Sequence, residues 1–107
     1  MANPYRGEVA LVLDGRSHLL RLTLGALAEL EQGLGSDSLL ALVERFESGA
    51  FSTGDLVALL EAGLRGGGWQ GCRADLLGAE IEGGPVEAAR VAARLLAVSF
   101  AVPDADA

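Results

Sequence analysis

Glycine breaks divide this leucine-rich chain into helix-length segments, and they constrain its fold more than any other feature. Within the segments, apolar residues recur at the i, i+3, i+4 spacing of an amphipathic helix. The breaks fall at Gly33, at Gly49, after Leu64 and at Gly83-Gly84. Glycine ends a helix readily because it adopts the left-handed backbone conformation without steric cost. We therefore predict helices over about residues 24–34, 37–48, 53–65, 73–82 and 85–101.

Residues suited to helix starts precede these segments. A Ser, Thr or Asp side chain can accept a hydrogen bond from a free N–H of the first turn, and Pro85 suits the start of the last helix because it lacks that N–H. The capping candidates are Thr23, Ser36 or Asp37, and Ser52 or Thr53. Beyond the last helix, residues 102–107 are acidic and contain a proline, so we expect them to be frayed.

An alternating segment, EVALVLDGRSHLLRLT, comes before the first helix. Its apolar residues at every second position indicate strands with one buried face, and Asp14-Gly15 is typical of a tight hairpin turn. We predict a hairpin over about residues 8–23. Because two strands alone are marginally stable in water, a helix must cover one face. The predicted fold class is α+β and mostly α: an N-terminal β-hairpin followed by four to five helices, in a single domain over residues 1–107.

The charge balance argues against nucleic acid as a partner. Fifteen acidic and eight basic residues give a net charge of −7, and the chain contains no lysine. Nucleic-acid binding depends on Lys and Arg that neutralise phosphates. No uncharged apolar run reaches the roughly 18 residues that span a bilayer, and the N-terminal sequence MANPYRGEV lacks the apolar core of a secretion signal. We therefore expect a cytoplasmic protein with no nucleic-acid or membrane partner.

The segment LRGGGWQGC contains glycines at the G-x-G-x-x-G spacing of a dinucleotide-binding turn. That turn requires a strand before the glycines, whereas here a helix precedes them, and a phosphate-binding loop of the other common type requires a lysine. We predict no cofactor at this site. We interpret the segment as a hinge between helices, formed by Gly66, Gly67, Gly68 and Trp69.

No combination of reactive residues indicates catalysis. Cys72 and His18 are the sole cysteine and the sole histidine, and a Cys–His pair without a third group is a weak signal for a nucleophile. The carboxylates follow no metal-ligand spacing, and none lies in an apolar stretch that would raise its pKa. We expect no enzyme activity and no metal site.

The last predicted helix is apolar on most of its circumference. One stripe consists of Val86, Ala89, Ala93, Leu96 and Phe100, and an offset stripe consists of Val91, Leu95, Val98 and Val102. A helix of this kind is either fully buried or contacts a partner, and the sequence leaves both readings open. Its many alanines would let another helix approach closely, and the surplus apolar surface permits self-association.

The order of segments resembles the gene transfer agent family of phage tail assembly chaperones, also described as tail tube-associated. The motifs that carry the resemblance are RGEV with the Asp14-Gly15 hairpin, LTLGALAELEQGLG and RFESGAFSTGDLVALLEAGLRGGG. The resemblance covers about residues 4–101 and implies a non-enzymatic, prophage-derived assembly factor. Such chaperones bind the tape measure protein and help to recruit tail tube protein in the producing bacterial cell. The alternative is a structural, tube-associated subunit of the virion.

A helical chaperone needs an apolar face for its partner. From the two stripes of the last helix we predict that this face includes Val91, Leu95 and Val98, together with Leu59 and Leu64 of an earlier helix.

Overall fold

A computed structural model of the chain describes residues 7–34 and 38–100, and within them it contains one hairpin followed by five helices. The strands are β1 (Glu8–Leu13) and β2 (Arg16–Arg21). The helices are α1 (Leu24–Leu34), α2 (Leu39–Ser48), α3 (Thr53–Gly66), α4 (Arg73–Leu77) and α5 (Gly84–Ser99). The predicted α+β class, with a hairpin ahead of a mostly helical remainder, is confirmed.

The hairpin turns where the sequence predicted it. Asp14 and Gly15 have φ angles of 51° and 80°, the positive pair that a two-residue type I′ turn requires. The antiparallel register places Val9 opposite Leu20. Alternation then puts one set of apolar side chains on the buried face of the sheet. These are Val9, Leu11, Leu13 and Leu20, each at most 4% exposed.

Side-chain caps start three of the helices. Thr23 Oγ1 accepts a hydrogen bond from Ala26 N at 3.0 Å, and Ser52 with Asp55 forms a reciprocal capping box, so these two predictions are confirmed. For α2 the prediction was wrong, because Ser38 is the cap: its Oγ accepts a hydrogen bond from the N–H of the third helical residue at 3.1 Å. The candidates predicted there, Ser36 and Asp37, and the predicted frayed tail at 102–107 lie outside the described residues.

The fourth helix is shorter than predicted. It ends at Leu77 rather than at residue 82, and the chain after it runs along the outer edge of β1. There Asp14 N donates to Glu80 O at 2.8 Å, and Glu82 N donates to Val12 O at 3.1 Å. The strand edge thus supplies hydrogen-bond partners for backbone groups that would otherwise bond within a longer α4. This long-range pairing left no periodic signal in the sequence.

The core lies between the hairpin and three helices. α3 packs against β2, α5 packs against β1, and α1 packs against α3. α3 is therefore the central helix, because it contacts β2, α1 and α5. The core side chains are almost all leucine, valine and alanine. The largest fully buried ones are Leu11, Leu20, Leu42, Leu59, Leu60, Leu64 and Leu95.

Three glycines on one side of α3 allow it to lie directly on β2. A Cβ at Gly66 would overlap the carbonyl oxygen of Arg21, and one at Gly67 would overlap that of Leu19. Both obstacles are backbone atoms, which cannot rotate away. At Gly63, one turn earlier, an added Cβ would come within 2.6 Å of the side chain of Leu95. The contact between helix and strand thus requires glycine at these positions, and we call the three residues the glycine seat.

The glycine seat contains Gly66 and Gly67 of the predicted hinge, which comprises Gly66, Gly67, Gly68 and Trp69. Gly66 is the last residue of α3, and Gly67 follows it with a φ of −88°, so neither uses the left-handed conformation. Only Gly68 does, with a φ of +103° and open space around it. Trp69 is half-buried against the core. In this structure Gly66 and Gly67 let the end of α3 lie directly on the sheet. Movement of the chain at this hinge stays a prediction.

Two contacts fix the corner between α2 and α3. Arg45 donates from Nε and Nη2 to the carboxylate of Asp55, at 2.8 and 3.0 Å. The rings of Phe46 and Phe51 stack with centroids 4.4 Å apart. The hydrogen bond from Arg45, followed by the one from the Ser52 backbone, lowers the pKa of Asp55 below its ordinary value.

We expect Gly66→Ala to destabilise the protein by more than about 2 kcal/mol, because the added methyl group overlaps a strand carbonyl. The matched control is Gly33→Ala in α1, where nothing lies within 4 Å of the added Cβ. That change should be neutral or stabilising by up to about 1 kcal/mol. Urea unfolding followed by circular dichroism measures both. Equal changes in unfolding free energy for the two variants would contradict the requirement for glycine at Gly66.

We expect Asp55→Asn to lower stability by about 1–2 kcal/mol at neutral pH, because it removes the charged partner of Arg45. Since the pKa of Asp55 is lower in the folded state, its contribution is complete above the unfolded pKa, near pH 4, and is lost as the pH falls through the folded value. The variant should therefore lose less stability than the wild type on acidification below about pH 4. Thermal melts across that range test this, with Glu44→Gln as the exposed-acid control; parallel curves for Asp55→Asn and wild type would refute it.

Candidate partner-binding surface

Four of the five residues predicted to face a partner are core residues. Leu59, Leu64 and Leu95 are 0% exposed and Val91 is 5% exposed, while Val98 is half-buried. The reason is the orientation of α5, whose Val91–Leu95 side lies against the hairpin and α3. These four side chains could meet a partner only if the core opened, so their role in partner binding stays a prediction.

The other apolar stripe of α5 points outward. Val86 is 70% exposed and Phe100, which follows the helix, is 44% exposed. Ala93 between them is exposed as well, whereas Leu96 is buried. The sequence showed both stripes, but it did not show which one the hairpin would cover. In the sequence, the large apolar residues Val86 and Phe100 at the two ends of this stripe were the feature that could have indicated its exposure.

A groove runs between the outward stripe of α5 and α2. Its volume is about 300 Å³, and most of its lining is apolar. Phe46 and Leu96 form a buried floor, and small residues of α5 form one wall. The lining residues are Val43, Phe46, Glu47, Ala93, Leu96, Ala97 and Phe100. We call this feature the α2–α5 groove.

The local sequence makes the groove floor rigid. Phe46 is held by its stack on Phe51, and the neighbouring Arg45 is held by Asp55. α2 also ends firmly at Gly49, which has a left-handed φ of 79°. The floor is therefore fixed from the α3 side, while the opposite wall, on α5, presents alanines that leave space for a helix backbone.

The charged residue that lines the groove lies on α2. Glu47 lines it on α2, and Glu44 lies exposed one turn earlier, with the 67%-exposed Leu40 beside them on the same helix. Arg90 and Arg94 are exposed on the far side of α5. A helix in the groove would thus meet an acidic border along α2.

The sole histidine and the Trp69 segment lie together on the surface. His18, Trp69, Gly71 and Asp75 line a shallow hollow, and Cys72 is exposed beside α4. The backbone N–H of Cys72 donates to Asp75 Oδ2 at 2.9 Å, and this bond lowers the pKa of that carboxyl. Within residues 7–34 and 38–100, no three His, Cys, Asp or Glu side chains are grouped so that they could hold a metal ion.

In the described part of the chain, no helix combines the length and apolar character needed to cross a membrane.

Comparison with known proteins gives one match. A family model described as "Phage tail tube protein, GTA-gp10" matches residues 6–102, which include the hairpin and both walls of the α2–α5 groove. Neither a curated protein nor a solved structure matches the chain significantly. The family match confirms the resemblance to gene transfer agent tail proteins that the sequence motifs indicated. The chain belongs to this family of phage tail tube proteins, and it is a tail-associated protein.

Proposed function

We propose that this protein is a non-enzymatic tail assembly chaperone, and that it binds an amphipathic helix of the tape measure protein in the α2–α5 groove. The observation that carries the proposal is an open apolar groove with a buried floor on a member of a tail protein family. The proposal needs no cofactor, no metal ion and no catalytic residue.

An open apolar groove of this kind can receive the side chains of a docking helix. A helix docks through side chains at i, i+3, i+4 and i+7, which need a long apolar floor with low walls. Phe46 and Leu96 supply that floor, and Phe100 adds an exposed aromatic side chain at one end. Ala93 and Ala97 present little bulk, so the backbone of the incoming helix can approach α5 closely.

The charges suggest the sequence of the partner helix. Glu47 stands in the groove wall and Glu44 follows the same edge of α2, so a partner helix with Lys or Arg along one side of its apolar stripe fits best. We expect the protein to act in the cytoplasm of the producing cell, where its net charge of −7 would keep a chaperone complex soluble and away from DNA.

The alternative function is a structural subunit of the tail tube, and the family description favours it directly. In that case the same groove would bind the tail tube protein or another tail component in the virion. Mass spectrometry of purified particles separates the two functions. A stoichiometric amount of this protein supports the structural subunit, and its absence or a trace amount supports the chaperone.

We expect Ala93→Glu to abolish co-purification with co-expressed tape measure fragments, because it places a charge in the apolar wall of the groove. The matched control is Ala74→Glu on the exposed surface of α4, which should bind as the wild type does. Both variants should keep the wild-type circular dichroism spectrum. Leu95→Asp is unsuitable for this test, because Leu95 is 0% exposed and a charge there would disrupt the core.

Binding that survives Ala93→Glu would show that the groove is not the tape measure site. If wild-type protein binds no tape measure fragment but is stoichiometric in particles, the chaperone function itself is wrong.

A further inference from the structure

The floor of the α2–α5 groove includes an aromatic ring that the chain holds from one side. Phe51 stacks on Phe46 with the ring centroids 4.4 Å apart. The small part of Phe46 that stays accessible, 9% of the residue, lines the groove. Ala93 and Ala97 stand beside it on α5, and their side chains end at Cβ. A partner side chain can therefore reach the floor between small neighbours.

The groove has room for a large side chain. An apolar cavity of about 150 Å³ is already large enough to bind benzene. The groove has a volume of about 300 Å³ and is open to solvent. The ring of an aromatic residue therefore fits in it, with space left for the neighbouring part of the partner.

A second aromatic side chain stands at one end of the groove. Phe100 directly follows α5, lines the groove and is 44% exposed. An aromatic residue placed over Phe46 would thus have rings of this chain below it and at its end. Pairs of aromatic rings contribute to binding beyond the area that they bury. The lining therefore favours an aromatic occupant over a leucine of similar size.

One carboxylate lines the groove without an ion pair to any other residue in the ranges 7–34 and 38–100. This residue is Glu47, which directly follows Phe46 on α2. A Lys or Arg of the partner, placed beside the aromatic residue, would give Glu47 an opposite charge. Residues three or four positions apart lie on one face of a helix. A cation one turn from the aromatic residue is therefore in the right place.

We propose that the partner helix places an aromatic residue over Phe46 and a Lys or Arg, one turn away, opposite Glu47. The inference rests on the proposed function, because it takes a helix of the tape measure protein as the occupant of the groove. It adds which residues of that helix are recognised. An aliphatic residue at the same place would bury apolar area but would lack the contacts with the rings of this chain.

A panel of fluorescein-labelled model helices tests the preference for an aromatic residue. All members share one alanine-rich amphipathic sequence and differ at two positions. The central residue of the apolar stripe is Trp, Leu or Ala, and the residue four positions later is Lys or Glu. We expect the Trp–Lys peptide to bind the full chain about two- to tenfold more tightly than the Leu–Lys peptide, and the Ala–Lys peptide to bind most weakly. Fluorescence anisotropy measures the affinities.

A variant that fills the groove tests the location of the aromatic residue. Ala97→Leu occupies the space beside Phe46, so it should weaken binding of the Trp–Lys peptide at least about tenfold. Ala28→Leu, on the exposed surface of α1, is the matched control and should bind as the wild type does. Because Ala97 and Ala28 are both exposed, both variants should keep the wild-type circular dichroism spectrum.

Reversal of one charge tests the ionic part. Glu47→Lys should weaken binding of the Trp–Lys peptide about three- to fivefold and strengthen binding of the Trp–Glu peptide by a similar factor, because it restores opposite charges. A reversed preference cannot result from partial unfolding, which would weaken both peptides. Glu31→Lys, on the exposed surface of α1, has the same change in net charge and should keep the wild-type preference.

Three results would overturn the proposal: no binding of any peptide, a Leu–Lys peptide that binds as tightly as the Trp–Lys peptide, or an unchanged charge preference in Glu47→Lys. Tape measure fragments report separately on the proposed function. If they do not bind the wild type although the Trp–Lys peptide does, the preference of the groove stands and the tape measure partner is wrong. If Ala93→Glu abolishes fragment binding while the panel shows no preference, the function stands and this inference is wrong.

Discussion

The contact between the end of α3 and the backbone of β2 is the constraint on which the rest of the structure depends. Gly66 and Gly67 bring α3 against the strand carbonyls of Arg21 and Leu19, at a distance that leaves no room for a side chain. This closeness covers the outer edge of β2. It also places α3 at the centre, where α1 packs on one side and α5 crosses near Gly63. The segment that first resembled a cofactor loop is therefore the point where helix and sheet join.

α5 shows how one helix can serve several surfaces. Its Val91–Leu95 side completes the core, its Ala93–Phe100 side forms a wall of the α2–α5 groove, and its charged side, with Arg90 and Arg94, lies beside the Glu8 end of β1. A helix that is apolar on most of its circumference is thus neither wholly buried nor wholly free. The groove is the basis of the proposed chaperone function.

Membership of a tail protein family and the apolar groove support the same kind of role. The family match assigns the chain to tail proteins, and under the proposed function the groove is where another tail component binds. The partner residues inferred from periodicity were mainly core residues, because a periodic stripe reports that a helix face is covered without reporting what covers it. Val91 and Leu95 are covered by the chain's own hairpin and α3.

The sequence by itself determined the local structure of this protein. The positive φ angles at Asp14-Gly15, the caps at Thr23 and Ser52 and most helix boundaries follow from residues within a few positions of each other, so a linear pattern can encode them. Only the tertiary structure decided the length of α4, which depends on the pairing of Ile81 with Leu13. It likewise decided the role of Gly66 and which stripe of α5 remained exposed. These features depend on groups far apart in the chain, and sequence spacing carries no information about their distance in space.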